Sequence, residues 1–239
     1  MKKPYVPAVV ESVRRELRRR ALPGRAQRVQ MFFKHPVEAY GWRTADLREL
    51  GQKARREIVT AGGNKLLFQV SEKLFYGKTI EEQALGVILL ERAVRRFGPA
   101  EFRRLERWLP RIGNWAACDG LCVNLLGPLL AAHPQLLPCL LRWRRSKNLW
   151  LRRAAAVALV PSARRGLHVE VILRVAGPLL RDQDYMVAKG VGWLLKEAAE
   201  KRRKEVVGLL EREKGRATRL ALRTACEKLP LRLRRRILG

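Results

Sequence analysis

The side chains of this sequence that could do chemistry stand at one repeated position. Five segments share a similar helical pattern, centred on Gln83-Ala84-Leu85, Asp119-Gly120-Leu121, Arg153-Ala154-Ala155, Lys189-Gly190-Val191 and Arg219-Leu220-Ala221. In the last four, the first residue is charged, and Asp119 is the one acid. Stacking the segments would line these charges along one surface, with Asp119 near its middle. A carboxylate placed there can stabilise a developing positive charge or orient a water molecule.

The spacing of the segments indicates the elements that must position these side chains. The segments recur about every 30–36 residues, which is the period of stacked helical-hairpin repeats. Apolar residues recur at intervals of three and four, and alternation with a period of two is absent. Pro and Gly fall between helical stretches rather than in linkers. The sequence therefore predicts an all-α solenoid that forms a single domain over residues 1–239.

Helices are predicted between these punctuating residues, with starts marked by residues that can cap a helix. Thr79, Asn148 and either Asp182 or Asp184 are suited to that role. The predicted ranges are 6–20, 24–35, 44–61, 64–74, 80–97, 99–109, 115–132, 136–145, 149–160, 167–180, 185–200, 204–213 and 216–229.

The charge balance indicates a polyanionic partner. Lys and Arg number 51 against 22 Asp and Glu, a net charge of +29, while 47% of the residues are hydrophobic. Such a chain can bury a core, and its self-repulsion is relieved when a polyanion binds. Nucleic acid is the first candidate, because phosphate neutralisation releases counterions. An anionic membrane surface is the second.

Other classes of function are disfavoured. The uncharged stretch 120–141 is interrupted by Pro128, Pro134 and Pro138, so we expect two helices rather than a membrane span. The four cysteines form no paired CxxC motif, and the three histidines have no HExxH context, so no metal or cofactor is expected. The N-terminal residues do not resemble a secretory signal, and we expect a cytoplasmic, nucleoid-associated protein.

Two pairs of residues combine a charge with an indole at a spacing of four. Trp115 precedes Asp119, and Lys189 precedes Trp193, so each pair shares a helix face. The alternative for the first pair is an Asp ion-paired with an Arg beside a core Trp; for the second it is again a core Trp. Gly190 and Gly192 each cost a helix about 1 kcal/mol relative to Ala. Close packing or an approaching ligand must offset that cost.

A basic corner runs from Arg142 to Arg153 and contains two tryptophans. Arginines in such a corner can hold phosphates through bidentate hydrogen bonds. The alternative is a solvated basic face with the indoles in the core. We expect Trp143 and Trp150 to lie in the core and the arginines to contact phosphate.

Three of these motifs together resemble a known family. Trp115-x-x-x-Asp119, the stretch Leu149-Trp150-Leu151-Arg152-Arg153-Ala154-Ala155, and the stretch Lys189-Gly190-Val191-Gly192-Trp193-Leu194-Leu195-Lys196-Glu197 are similar in order and separation to the AlkD-type alkylpurine DNA glycosylases. The likeness extends weakly over nearly the whole chain. It implies a curved, right-handed superhelix of HEAT-like repeats.

The resemblance also implies roles for individual residues. Asp119 matches the family's catalytic acid, and Trp115 and Trp193 match aromatics that contact the deoxyribose at the lesion. Arg153 and Lys189 match contacts to the DNA backbone. The remaining expected DNA-binding residues are Arg152, Lys147, Arg219 and Phe32, the last of which corresponds to an aromatic of the family's N-terminal region. Asn114-Trp115 stands where relatives often carry two tryptophans.

The activity implied by the resemblance is removal of cationic N3- and N7-alkylated purines, such as 3-methyladenine and 7-methylguanine, from double-stranded DNA. The base would leave without being extruded into a pocket, so bulky adducts would be tolerated. No metal or cofactor is implied, and we expect a monomer. The alternative is a non-catalytic HEAT-repeat protein that binds DNA or RNA, because charge and repeats favour both equally.

Overall fold

The computed structural model of the protein describes residues 5–239, which form two compact units divided between Arg96 and Phe97. The described residues contain helices and no strand. Helices of the first unit are α1 (Val6–Arg19), α2 (Pro23–Gln30), α3 (Thr44–Phe75) and α4 (Ile80–Glu91). Those of the second are α5 (Pro99–Glu106), α6 (Trp115–Leu121), α7 (Gly127–Ala132), α8 (Pro138–Trp143), α9 (Leu149–Val157), α10 (Val160–Arg164), α11 (Val169–Leu179), α12 (Tyr185–Ala198), α13 (Arg203–Glu213), α14 (Arg219–Cys226) and α15 (Leu231–Leu238).

In the first unit, α1 and α4 pack against α3. Helix α3 breaks at Gly62-Gly63, where Gly63 has φ +65°, a conformation that favours glycine. The buried Glu81 carboxylate accepts hydrogen bonds from the backbone N–H groups of Tyr40, Gly41 and Trp42 at 2.9, 2.7 and 3.2 Å. This carboxylate therefore fixes the end of the connection between α2 and α3.

In the second unit, the helices stack in two layers. One layer consists of α6, α9, α12 and α14, each packed on the next. The other layer consists of α8, α11, α13 and α15. This is the arrangement expected of stacked helical pairs. The predicted all-α fold of helical repeats is confirmed, while the predicted single domain and the curvature of the whole chain stay predictions.

Every helix of the first layer begins at a capping side chain. The caps are Asn114, Asn148, Asp184 and Thr218, which accept hydrogen bonds from N–H groups of the first helical turn. Of the two aspartates considered for α12, the structure selects Asp184. The caps give the four helices a common frame in which equivalent positions can be compared.

Helix α6 continues through a π-helical segment, Cys122–Leu126, into α7. The combined helix Trp115–Ala132 is long and apolar enough to cross a membrane, but half of it is buried inside the protein and it ends before Pro134, as predicted. Both helix-corner tryptophans are also in the core: Trp143 is 1% exposed and Trp150 is 8% exposed. This confirms the core alternative for those two indoles.

Candidate functional site

The centre of the site is an ion pair between adjacent helices of the first layer. Asp119, in α6, accepts two hydrogen bonds from Arg153, in α9: Nε lies 2.9 Å from Oδ1 and Nη2 lies 2.7 Å from Oδ2. The Asp119 side chain is 17% exposed, whereas that of Arg153 is 6% exposed. The carboxylate is therefore mostly buried but still partly exposed, and its partner is a more deeply buried guanidinium.

Arg153 also connects this carboxylate to the next helix of the layer. Its Nη1 donates a hydrogen bond to the carbonyl oxygen of Met186, in the first turn of α12. Gly190 makes room for the arginine, because a Cβ atom there would lie 3.2 Å from Cγ and 3.3 Å from Nη1 of Arg153. Close packing thus accounts for this glycine.

The second glycine of the motif has a different packing partner. A Cβ atom on Gly192 would lie 2.5 Å from the Cβ of Thr224 and 2.9 Å from the carbonyl oxygen of Ala221, both in α14. Helices α12 and α14 can therefore approach closely. The cost of both glycines is offset by helix packing.

Burial and the ion pair act in opposite directions on the acid. Burial raises the pKa of the Asp119 carboxyl above its ordinary value, and the Arg153 guanidinium opposes that rise. Burial lowers the pKa of Arg153, but Asp119 more than compensates and the pKa is raised. Burial also raises the pKa of the Cys122 thiol well above its usual range, which leaves the thiol protonated and unsuited to nucleophilic attack.

The two predicted sugar-contacting indoles are both partly exposed, so neither is the core tryptophan of the alternative. Trp115 is the first residue of α6, one turn before Asp119. The ring of Trp193 faces the guanidinium of Arg164 at 5.8 Å. Within residues 5–239, Trp193 makes no hydrogen bond to Asp119 or Arg153. The flanking of the carboxylate by two indoles stays a prediction.

The structure changes the expectation for two of the arginines. Arg152 Nε lies 2.6 Å from Oδ2 of Asp182, and Arg152 also donates to the carbonyl oxygens of Ser146 and Lys147. Arg153 is occupied by Asp119. Both guanidinium groups are therefore held within the protein because they neutralise acids on adjacent elements, and neither is a free cation. DNA contact by either residue stays a prediction.

Two predicted lysines have the character of free cations. Lys147 is exposed at the turn before α9, and Lys189 is partly exposed on α12. Neither ammonium has an ion-pair partner in the described part of the chain. Phe32, in the first unit, is 74% exposed in a turn that the Gln30 side chain fixes by donating to the carbonyl oxygens of Phe33 and His35.

The cap positions correct the alignment of the last repeat. Asp119, Arg153 and Lys189 each stand five residues after the cap of their helix. Five residues after Thr218 is Arg223, whereas Arg219 is the first residue of α14. Arg223 is exposed and has no ion-pair partner among residues 5–239. Counting from the capping residue would have found it from sequence.

No group of three or more His, Cys, Asp or Glu side chains within residues 5–239 is arranged to hold a metal ion. The described site brings together a carboxylate and a guanidinium, and the indole of Trp115 stands one helical turn before the carboxylate. These groups can stabilise a cation, orient water and pack against a sugar or a base.

Comparison with known proteins gives the family. The sequence matches the family model described as DNA alkylation repair enzyme over residues 13–229. A solved structure described as a predicted DNA alkylation repair enzyme from Enterococcus faecalis matches with a TM-score of 0.79 and 19% sequence identity, covering 89% of this chain and 98% of that one. At this identity the structural likeness shows the fold. No curated protein sequence matches significantly. The chain therefore belongs to the DNA alkylation repair enzymes and has a role in alkylation repair, with DNA as its substrate.

Proposed function

We propose that the protein is a DNA glycosylase that hydrolyses the N-glycosidic bond of cationic N3- and N7-alkylated purines. The observation that carries this proposal is the Asp119 carboxylate, which is partly exposed and is fixed by two hydrogen bonds from buried Arg153. A fixed carboxylate on a surface otherwise rich in cations is suited to a reaction that develops positive charge on the substrate.

The proposed reaction needs little assistance to the leaving group. Alkylation at N3 or N7 makes the purine cationic. When the C1′–N bond breaks, its electron pair leaves with the base, which becomes neutral. Positive charge then develops on the deoxyribose, and Asp119 stabilises it. Water adds its oxygen to C1′, and the proton that it loses passes to the carboxylate or to solvent.

The magnitude of this stabilisation can be bounded. A unit charge pair about 4 Å apart at an effective dielectric constant of about 20 interacts with roughly 4 kcal/mol. The Arg153 guanidinium offsets part of that field, since it lies against the same carboxylate. We expect about 2.7 kcal/mol of stabilisation, which corresponds to about a hundredfold in rate.

The other residues have supporting roles in the proposal. Trp115 packs on the sugar at the lesion, as does Trp193, while Lys189 contacts the DNA backbone. The base stays largely stacked, so size does not limit the adduct. The enzyme acts as a monomer in the cytoplasm, on nucleoid DNA, without metal or cofactor.

The direct test is incubation of the protein with duplex DNA that carries 7-methylguanine, followed by chromatography of the free base. We expect release of 7-methylguanine and an abasic site. A second duplex with a bulky cationic N7-adduct tests the proposed tolerance of size, and we expect release of that base too. Release of the methylated base alone would exclude a stacked, pocket-free mode of cleavage.

A non-catalytic nucleic-acid-binding protein is the second candidate. The observation that favours it is the same ion pair, since the Asp119–Arg153 contact also ties α6 to α9 and would do so without any catalysis. In that case the protein would bind DNA or structured RNA and release no base. Competition between duplex DNA and structured RNA, measured beside the base-release assay, separates the two candidates.

A further inference from the structure

Helix α15 lies outside the part of the chain that matches the family model, which ends at residue 229. It is nevertheless fixed to the second unit. Ile237 is buried, Lys214 Nζ donates to the carbonyl oxygen of Arg236 at 3.1 Å, and Arg219 donates to that of Leu238. The helix is therefore an ordered part of this protein that the family match does not account for.

An open cleft of about 400 Å³ lies between α15 and the start of α14. We name it the C-terminal arginine cleft; its lining residues are Arg219, Leu231, Arg234, Arg235, Leu238 and Gly239. The side chains of Arg234 and Arg235 are exposed and have no ion-pair partner within residues 5–239. Both are therefore available to an external anion.

The acids of neighbouring helices do not neutralise the cleft. Glu211 is paired with Arg236, Glu213 with Arg181, and Glu227 with Lys196. Each carboxylate is thus committed to a cation outside the cleft. The two unpaired guanidinium groups of Arg234 and Arg235, beside a cleft with no free acid, are suited to phosphate groups, which arginine binds in bidentate fashion.

The cleft lies beside α14, the last helix of the layer that contains Asp119, and α15, from the other layer, forms its second wall. Helix α14 is the third helix after α6 in that layer, and adjacent packed helices are about 9 Å apart. Three such steps make about 27 Å, which is about 8 base pairs at 3.4 Å per base pair. Arg223, one turn after Arg219, faces the same side of α14 and continues the row of cations.

We propose that the C-terminal arginine cleft binds the phosphate backbone of duplex DNA about 8 base pairs from the lesion, on one side only. The inference rests on the proposed function only in placing the lesion at Asp119. The partner is duplex DNA rather than an anionic lipid surface, because the cleft borders α14, whose layer carries Asp119, in a protein whose substrate is DNA.

The test uses duplexes with one central tetrahydrofuran abasic analogue, which the protein cannot hydrolyse. One duplex has 12 base pairs on both sides of the analogue, and two others have one side or the other shortened to 4. Fluorescence anisotropy gives the affinity of the parent protein and of the Arg234→Ala/Arg235→Ala variant at several salt concentrations. The Arg103→Ala/Arg107→Ala variant is the matched control, since it also removes two exposed arginines from the second unit.

We expect the parent to lose affinity, on the order of tenfold, when one particular side is shortened, and little when the other is. When that side is shortened, the Arg234→Ala/Arg235→Ala variant should lose much less affinity than the parent, because only Arg223 still contacts that side, and its salt slope should be lower by about 2. The control should keep the asymmetry.

An asymmetry in the Arg234→Ala/Arg235→Ala variant as large as that of the parent would overturn the inference. The inference would also be overturned if this variant bound DNA as the parent does but no longer bound vesicles of anionic phospholipid. Base release is measured separately: a parent that shows the asymmetry but releases no 7-methylguanine refutes the glycosylase and not the cleft.

Discussion

Arg153 and Asp119 stand at equivalent positions of adjacent repeats, and their side chains meet in a two-point ion pair. Each is the fifth residue after its helix cap, so the stacking that makes the repeats equivalent also brings the two charges together. Because Arg153 also reaches the Met186 carbonyl, a single buried side chain spans three helices of one layer. The orientation of the carboxylate is thereby linked to the packing of the repeats.

Replacing Arg153 should therefore affect both stability and base release. Arg153→Ala leaves a mostly buried carboxylate without its partner and should lower the free energy of unfolding by about 3 kcal/mol. Arg153→Lys keeps the charge and loses the two-point geometry, so we expect better stability than for Ala but at least a tenfold loss in single-turnover rate. Urea denaturation and single-turnover kinetics measure the two effects.

Arg152→Lys is the matched control for this experiment, because Arg152 forms a similar pair with Asp182 on the same unit. It should reduce stability and leave the rate of base release unchanged. Equal rates for Arg153→Lys and the parent would show that the pair has no part in positioning the carboxylate.

The pH dependence should report the buried carboxyl. Burial raises the pKa of Asp119 above its ordinary value of 3.8, and the reaction needs the ionised form. The single-turnover rate should thus rise with pH through this raised pKa and then level off. Arg153→Ala removes the opposing charge, so its rising limb should shift to higher pH. If the rate rose over the same pH range in the parent and in Arg153→Ala, the rise would come from the ionisation of another group.

The same shift has a consequence for folding. Since the folded-state pKa of Asp119 lies above its unfolded value, the contribution of this group to stability is present at low pH. It is lost as the pH rises through the folded-state pKa. Catalysis and folding therefore favour opposite protonation states of Asp119.

Substitution by alanine should change the free energy of unfolding in opposite directions at two helical glycines, Gly192 and Gly208. Gly192→Ala places a Cβ atom 2.5 Å from Thr224 and 2.9 Å from a backbone oxygen, so we expect a loss of about 1–3 kcal/mol in unfolding free energy. Gly208, inside α13, has only the Arg212 side chain near, at 3.8 Å. Gly208→Ala should stabilise the protein by up to about 1 kcal/mol. Thermal and urea denaturation of both variants test this contrast.

Helices and their beginnings were largely predictable from the sequence. The starts at Trp115, Leu149 and Tyr185 were predicted correctly, because each follows an Asn or Asp that caps the first turn. Helix α15 was missed, because Pro230 precedes it without a capping side chain and arginines occupy half of its positions. Local pattern therefore predicted most elements but neither this helix nor α10, which follows a helix predicted to end at Val160.

The candidate site was less predictable, because its contacts depend on how repeats stack. The sequence identified Asp119 and Arg153 and assigned them to a sugar and a phosphate, while an ion pair between Asp119 and an unspecified arginine was the alternative. Their mutual ion pair requires neighbouring helices in register, which spacing alone does not give. Gly190 was expected to serve packing or a ligand, and only the structure shows that it accommodates Arg153.

Lys189 and Arg223, which stand five residues after the caps of their helices, should each make an independent contribution to DNA binding. Lys189→Ala and Arg223→Ala should each lower the slope of log affinity against log salt by about 0.9, because each loses one phosphate contact. Neither change removes an ion pair within the described residues, so stability should be unaffected. A slope equal to that of the parent for either variant would remove that residue from the DNA interface.

The most direct test of the central claim compares Asp119→Asn with Asp182→Asn in single-turnover release of 7-methylguanine. Both variants lose a carboxylate that is paired with an arginine, at 17% and 13% side-chain exposure, so their structural effects are matched. We predict that Asp119→Asn slows release at least a hundredfold while binding DNA as tightly as the parent or more tightly, and that Asp182→Asn releases base at nearly the parental rate. If Asp119→Asn released the base as fast as Asp182→Asn, the carboxylate would be a structural tie and not a catalytic group.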